Sequence, residues 1–181
     1  MRLSLLIALS LLALSGCASG PADTVVSDVD DRTGESFTRL REPLRLATDR
    51  PGLSVVGKDY LLVAPVLVTG TTSAGQYLWF AVGTTVDRPL NGAPEPGFDR
   101  IVLVVDGSLM TFDLTDWQEA AASEPFKAPL KVTRSFASPV TDSQLRRIAN
   151  AGELQAYVTN TDHRSPRYAL VRGEPRDWLD F

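Results

Sequence analysis

Apolar residues in this chain fall into short runs, many of them aliphatic and β-branched, separated by clusters of Gly, Pro, Asp and Ser, and few of the runs show helical spacing. The run "DYLLVAPVLVT" (59–69) is apolar at odd and even positions alike, which predicts a strand covered on both faces. Pro65 within it has no N–H to donate, so a bulge or an edge position is expected there. "GQYLWFAVGTTV" (75–86) predicts the next strand, with Leu78, Phe80 and Val82 on one face and Tyr77, Trp79 and Ala81 on the other. In "RIVLVVDGSLMTFDL" the pair Asp106-Gly107 separates two apolar runs. Glycine's freedom at positive φ makes this a two-residue hairpin, pairing Val105 with Ser108, Leu103 with Met110 and Ile101 with Phe112. "PLKVTRSFAS", "ELQAYVTN" and "RYALVR" predict three more strands, with Leu154, Ala156 and Val158 facing inward. The stretch "DRPLNGAPEPGFDR" between strands reads as a surface loop.

Two helices interrupt this pattern. Over about 141–151, Thr141 and Gln144 form a capping box, Val140 and Leu145 a hydrophobic staple, and Leu145, Ile148 and Ala149 share one face. Gly152 is expected to end that helix in a left-handed conformation. A shorter helix over about 116–122 is expected to start from Thr115 and Gln118 and to stop before Pro125. The fold class is therefore mainly β: an antiparallel β-sandwich or small barrel with one docked helix and a second short one.

The N-terminus departs from this pattern. Met1 and Arg2 precede "LSLLIALSLLAL", a dozen apolar residues and too few to span a bilayer, where roughly 20 are needed. The sequence Leu14-Ser15-Gly16-Cys17 that follows resembles the lipobox of bacterial lipoproteins. The resemblance implies cleavage before Cys17 and acylation of that residue, which becomes the first of the mature chain. Ala18 rather than Asp follows the cysteine, which in the enteric sorting rule of that family implies the outer membrane, with the protein facing the periplasm. Cys17 is the only cysteine, so its acylation removes a thiol that would otherwise be left to oxidise. Three regions are expected: a signal peptide over 1–16, a lipidated Cys17 with a flexible tether over 17–36, and one β-rich domain over 37–181. The tether is small and acidic, and as a flexible coil it would span roughly 25 Å. The blocks "DDRTG", "DYLLVAP", "QYLWF" and "VLVVDG" also resemble uncharacterised bacterial envelope lipoproteins, a resemblance that brings no activity with it.

Formal charge is −4, and there is no basic run of five or more, which argues against a nucleic-acid partner. The catalytic inventory is small. His163 is the single histidine and sits in the loop "NTDHRSP", with no "GxSxG" elbow anywhere, so it reads as a solvated loop residue. One histidine and no free cysteine cannot supply the usual zinc sets, and "DVDDRTGESFTR" lacks the Gly and the closing Glu of a calcium loop. No phosphate-cradling motif is present. No catalytic, metal or cofactor residue is assigned. Trp178 and Phe181 are expected to dock on the domain, since Asp177 breaks the alternation of a membrane-barrel closing strand.

Tyr77 and Trp79 are the remaining candidates. If their face is covered they are core; if open, they form an aromatic platform for a glycan or a protein. The leading reading is a non-enzymatic module that contacts another envelope protein. The alternative is a glycan or small-ligand binder using Tyr77 and Trp79, and the third is a hydrolase whose acid pair is not evident from spacing.

Overall fold

The computed structural model describes residues 24–49, 58–70, 74–84, 98–127, 131–159 and 167–171. The signal peptide, Cys17, most of the 87–100 loop, His163, Trp178 and Phe181 lie outside the described residues. The strands are β1 (Val25–Val29), β2 (Ser36–Leu40), β3 (Leu44–Asp49), β4 (Lys58–Thr69), β5 (Gly75–Thr84), β6 (Arg100–Val105), β7 (Ser108–Asp113), β8 (Thr115–Asp116), β9 (Lys131–Pro139), β10 (Leu154–Thr159) and β11 (Tyr168–Leu170). The helices are α1 (Trp117–Ala120) and α2 (Asp142–Ala149).

Every pairing among the described residues is antiparallel. The path β7-β6-β10-β11-β3-β4-β5-β9 curls until β7 comes up against β9, giving a nearly closed barrel. Its interior is one cluster, including Leu46, Leu61, Val63, Phe80, Ile101, Leu103, Ala156 and Val158. The Asp106-Gly107 hairpin has the expected register, Val105 opposite Ser108 and Ile101 opposite Phe112. Both turn residues take positive φ, 48° and 77°, as a turn matching the right-handed strand twist requires.

Helix α2 joins this interior through Leu145, Ile148 and Ala149. Thr141 accepts from the Gln144 N–H, and the Gln144 side chain accepts from the Thr141 N–H, so the capping box is complete. Thr141→Ala is expected to lower stability by about 1 kcal/mol, read as a shift in a urea midpoint with an unchanged slope. Gly152 does not cap the helix. Asn150 ends it near φ −86°, its side chain donating to the Arg146 carbonyl, and Gly152 is not at positive φ. A Cβ at 152 would lie close to Asp106 Oδ1, at 3.2 Å, and that oxygen accepts from the Glu153 N–H.

Two further expectations need correction. Thr115 is not a helix cap: it sits in β8 opposite Ala137, and its hydroxyl donates to the Ala137 carbonyl. Helix α1 accordingly starts at Trp117 and lasts one turn, with no side-chain cap at Asp116. The tether does not reach residue 36, because β1 pairs with β2 from Val25↔Leu40 to Val29↔Ser36. The "DDRTG" stretch turns this hairpin. Asp30 accepts from the Arg32 N–H through its side chain and from the Thr33 and Gly34 N–H groups through its carbonyl, and Gly34 takes φ 73°.

Pro65 governs the layout around the site. On one side it pairs with Leu78 in β5. On the other side β3 pairs with β4 only as far as Val63, and β2 begins at Val66. Strands β2 and β3 thus run along the same edge of β4, interrupted at Arg41–Pro43 opposite Ala64 and Pro65. The irregularity expected at Pro65 takes the form of this break, where a residue without an N–H is tolerated.

Candidate functional site

A second apolar cluster covers the outer face of β2, β4, β5 and β9. Across the sheet, Ala64, Trp79 and Ala137 form one row, and Leu62 and Ala81 flank it in the next. Alanines beside Trp79 leave a depression in the sheet surface. The segment after β8 fills it with Trp117, Ala120, Ala121 and Phe126. The Phe126 ring stands 4.9 Å from that of Trp79, and the Trp117 ring meets Tyr77 edge-on at 6.3 Å.

Tyr77 and Trp79 therefore do not form an open platform. Trp79 is 1% exposed and Tyr77 is half-buried against the same cluster. Apolar positions on both faces of β4 and β5 have the same explanation: the inner set fills the barrel and the outer set lies under the 117–127 segment.

Polar bonds fasten that covering segment. Trp79 Nε1 donates to Glu124 Oε2 at 3.1 Å, and Ser135 donates to the other Glu124 oxygen. Trp117 Nε1 donates to the Ser123 carbonyl at 2.7 Å. Glu35, 3% exposed, accepts from the Ala122 N–H at 2.9 Å and ties the segment to the start of β2. At its base Arg134 holds the Asp116 carboxylate with two bonds, 2.8 and 2.7 Å, which keeps the Asp116 pKa below its usual value.

Between the covering segment and the β1–β2 turn lies a groove of about 1030 Å³. Phe37, Leu62 and Phe126 lie at its floor, all three buried. One wall is the turn over 28–31, the other is 123–127, and Arg41–Pro43 with Arg45 close the end where β2 gives way to β3. The rim is charged in both senses: Asp28, Asp30, Asp31, Glu42 and Glu124 against Arg39, Arg41, Arg45 and Lys127. Arg39 bridges the walls. It bonds Asp28 at 2.6 Å, and its guanidinium lies 4.8 Å from the centre of the Phe126 ring, a cation–π distance. The Ser123 hydroxyl, followed by the Arg32 backbone N–H, holds the Asp30 carboxyl below its ordinary pKa.

The groove is not among the sequence candidates, because its walls, 28–31 and 123–127, come from segments more than 90 residues apart. Among the described residues no group of three or more His, Cys, Asp or Glu is placed to hold a metal ion, and no helix is long and apolar enough to cross a membrane. Compared with family models, curated proteins and solved structures, the chain matches none.

Proposed function

We propose that this chain is a lipid-anchored protein of the bacterial envelope, held through Cys17 at the outer membrane and facing the periplasm. Its barrel acts without catalysis, as an interaction module for another envelope protein. The observation that carries the reading is the groove: a channel floored by buried apolar side chains, with carboxylates and basic groups along its rim, walled by a fastened segment on a nearly closed sheet. A groove of that kind suits an extended peptide, with paired charges along the rim fixing its register. The lipobox match at Leu14-Ser15-Gly16-Cys17 supports the anchor.

The test is crosslinking in cells with the lipidated protein, alongside Glu42→Lys and Lys127→Glu, two exposed rim positions. One recurrent envelope protein is expected, lost from both rim variants while their circular dichroism and melting stay unchanged. Capture at background level, or capture indifferent to both variants, refutes the reading. Cys17→Ser is expected to move the protein from the membrane fraction to the soluble one. If it stays with the membrane through detergent-free washing, the anchor is not at Cys17.

A further inference from the structure

Strand β1 is an edge of the sheet: it pairs with β2, and among the described residues no strand pairs with its other side. The direction of its backbone groups follows from the two bonds that flank it. The Thr24 carbonyl accepts from the Arg41 N–H, and the Asp30 N–H donates to the Glu35 carbonyl. Bonded pairs alternate in an antiparallel ladder, so between these two bonds Val26 and Asp28 bond to β2. Val25, Ser27 and Val29 turn their N–H and C=O groups to the open side. Exposed edges ordinarily carry a lysine, a proline or a bulge that deters pairing. The strand "VVSDV" has no lysine or proline, and its register with β2 is unbroken from Val25 to Val29. Its one charge, Asp28, is bonded to Arg39 at 2.6 Å. Ser27, Asp28 and Val29 are exposed, Val29 at 64%.

We propose that β1 pairs antiparallel with β1 of a second copy of this chain, across a two-fold axis at Ser27. In that register Val25 meets Val29 of the second copy, Ser27 meets Ser27, and Val29 meets Val25. All three outward residues then exchange both of their backbone bonds, and the exposed Val29 gains an apolar cross-strand neighbour. Asp28 falls opposite Val26, and the two Asp28 side chains are offset along the strands, each held by its own Arg39. Sliding the copies by one bonded pair loses this match. In one direction Asp28 faces Asp28; in the other Val29 extends past Val25, the end of β1. Side chains directly opposed in a sheet share a face, so the grooves of both copies open on the same side. The pairing goes beyond the groove's role and depends on neither the groove nor the lipid anchor. Three bonded pairs make a small interface, so association is weak in dilute solution and favoured by high concentration.

The test uses the purified full chain at high concentration, with detergent micelles in excess over protein. A residue at the axis faces its own copy, so Ser27→Lys brings two cations together and Ser27→Asp two anions. Each variant alone is expected to self-associate at least about fivefold more weakly than the parent in sedimentation equilibrium. An equal mixture of the two is expected to recover the parent's association, because opposite charges then meet. Ser27 is exposed, so both variants should melt as the parent does. Ser27→Cys is expected to give a disulfide-linked dimer under mild oxidation, since the Cα atoms of a bonded pair stand about 5.5 Å apart, within disulfide reach. Thr111→Cys, on an exposed position of β7, measures chance collision, and the parent chain measures any contribution from Cys17. A parent that stays monomeric overturns the proposal, as does Ser27→Cys cross-linking no faster than Thr111→Cys. So does association that both charged variants leave unchanged, or a mixture that associates no better than either variant alone.

Discussion

Trp79→Ala is expected to lower the unfolding free energy by about 3–5 kcal/mol, the range for deleting a fully buried aromatic side chain. For a chain of this size that corresponds to about 2–4 °C in Tm per kcal/mol. The loss has identifiable parts. The ring is 1% exposed, packs 4.9 Å from Phe126, and donates its N–H to Glu124. Removing it leaves a cavity between the alanine-lined sheet and the 117–127 segment, and the flanking Ala64, Ala81 and Ala137 are too small to fill it. Trp79→Phe keeps most of the apolar area and gives up the bond to Glu124, so its cost should be nearer 1 kcal/mol. An exposed stacking residue would behave otherwise, since its removal would shift stability by no more than about 0.5 kcal/mol. Urea unfolding of the three proteins side by side distinguishes the two cases. A midpoint for Trp79→Ala equal to that of the parent would mean the outer cluster is not a core.

The parts of this fold that are legible in the sequence are those specified by near neighbours along the chain. Asp106-Gly107 specifies its hairpin because two adjacent residues must both take positive φ. Thr141 and Gln144 specify the start of α2 because each satisfies the other's backbone N–H. Two local readings fail because a tertiary partner takes over the residue. Thr115 has a helix-capping hydroxyl, but Ala137 offers it a carbonyl across β8 and β9. Gly152 follows a helix, yet it is not at positive φ, and a Cβ there would lie close to Asp106. The β1–β2 hairpin is legible in principle, since "VVSDV" and "SFTRL" flank a stretch rich in turn residues. The acidity of this region and its lack of aromatics point instead to a tether.

The groove is a harder case. Alternation along a strand says which residues share a face, but not what covers that face. Here the outer face of β4 and β5 is covered by residues 117–127, and the groove runs between that covering segment and the β1–β2 turn. Its end wall depends on the interruption at Arg41–Pro43, which in turn depends on Pro65 in another strand. Pro65 alone signals an irregularity; the groove needs its spatial neighbours as well.

Glu35→Ala is expected to cost about 1.5–3 kcal/mol, the range for a hydrogen bond in which one partner is charged. The donor is the Ala122 N–H, reached at 2.9 Å by a carboxylate that is almost wholly buried and 87 residues away in sequence. The same bond fixes the distance between the two walls of the groove, since Glu35 ends the β1–β2 turn and Ala122 leads into 123–127. Its removal should therefore have a local consequence that a general loss of stability would not produce. Hydrogen exchange at Ala122 and through 123–127 should accelerate more than exchange in the barrel strands β6 and β10, which lie outside this contact. Glu35→Gln separates the hydrogen bond from the charge. Its amide oxygen can still accept from Ala122, so if the bond is what matters, the variant should recover most of the stability and the local protection. If the glutamine variant behaved like the alanine variant, the negative charge at this position would be the essential feature, and the walls would be held together electrostatically. If neither variant altered exchange at 122–127, the covering segment would be fixed by its aromatic side chains alone, and Trp79 and Trp117 would account for the groove's shape without Glu35.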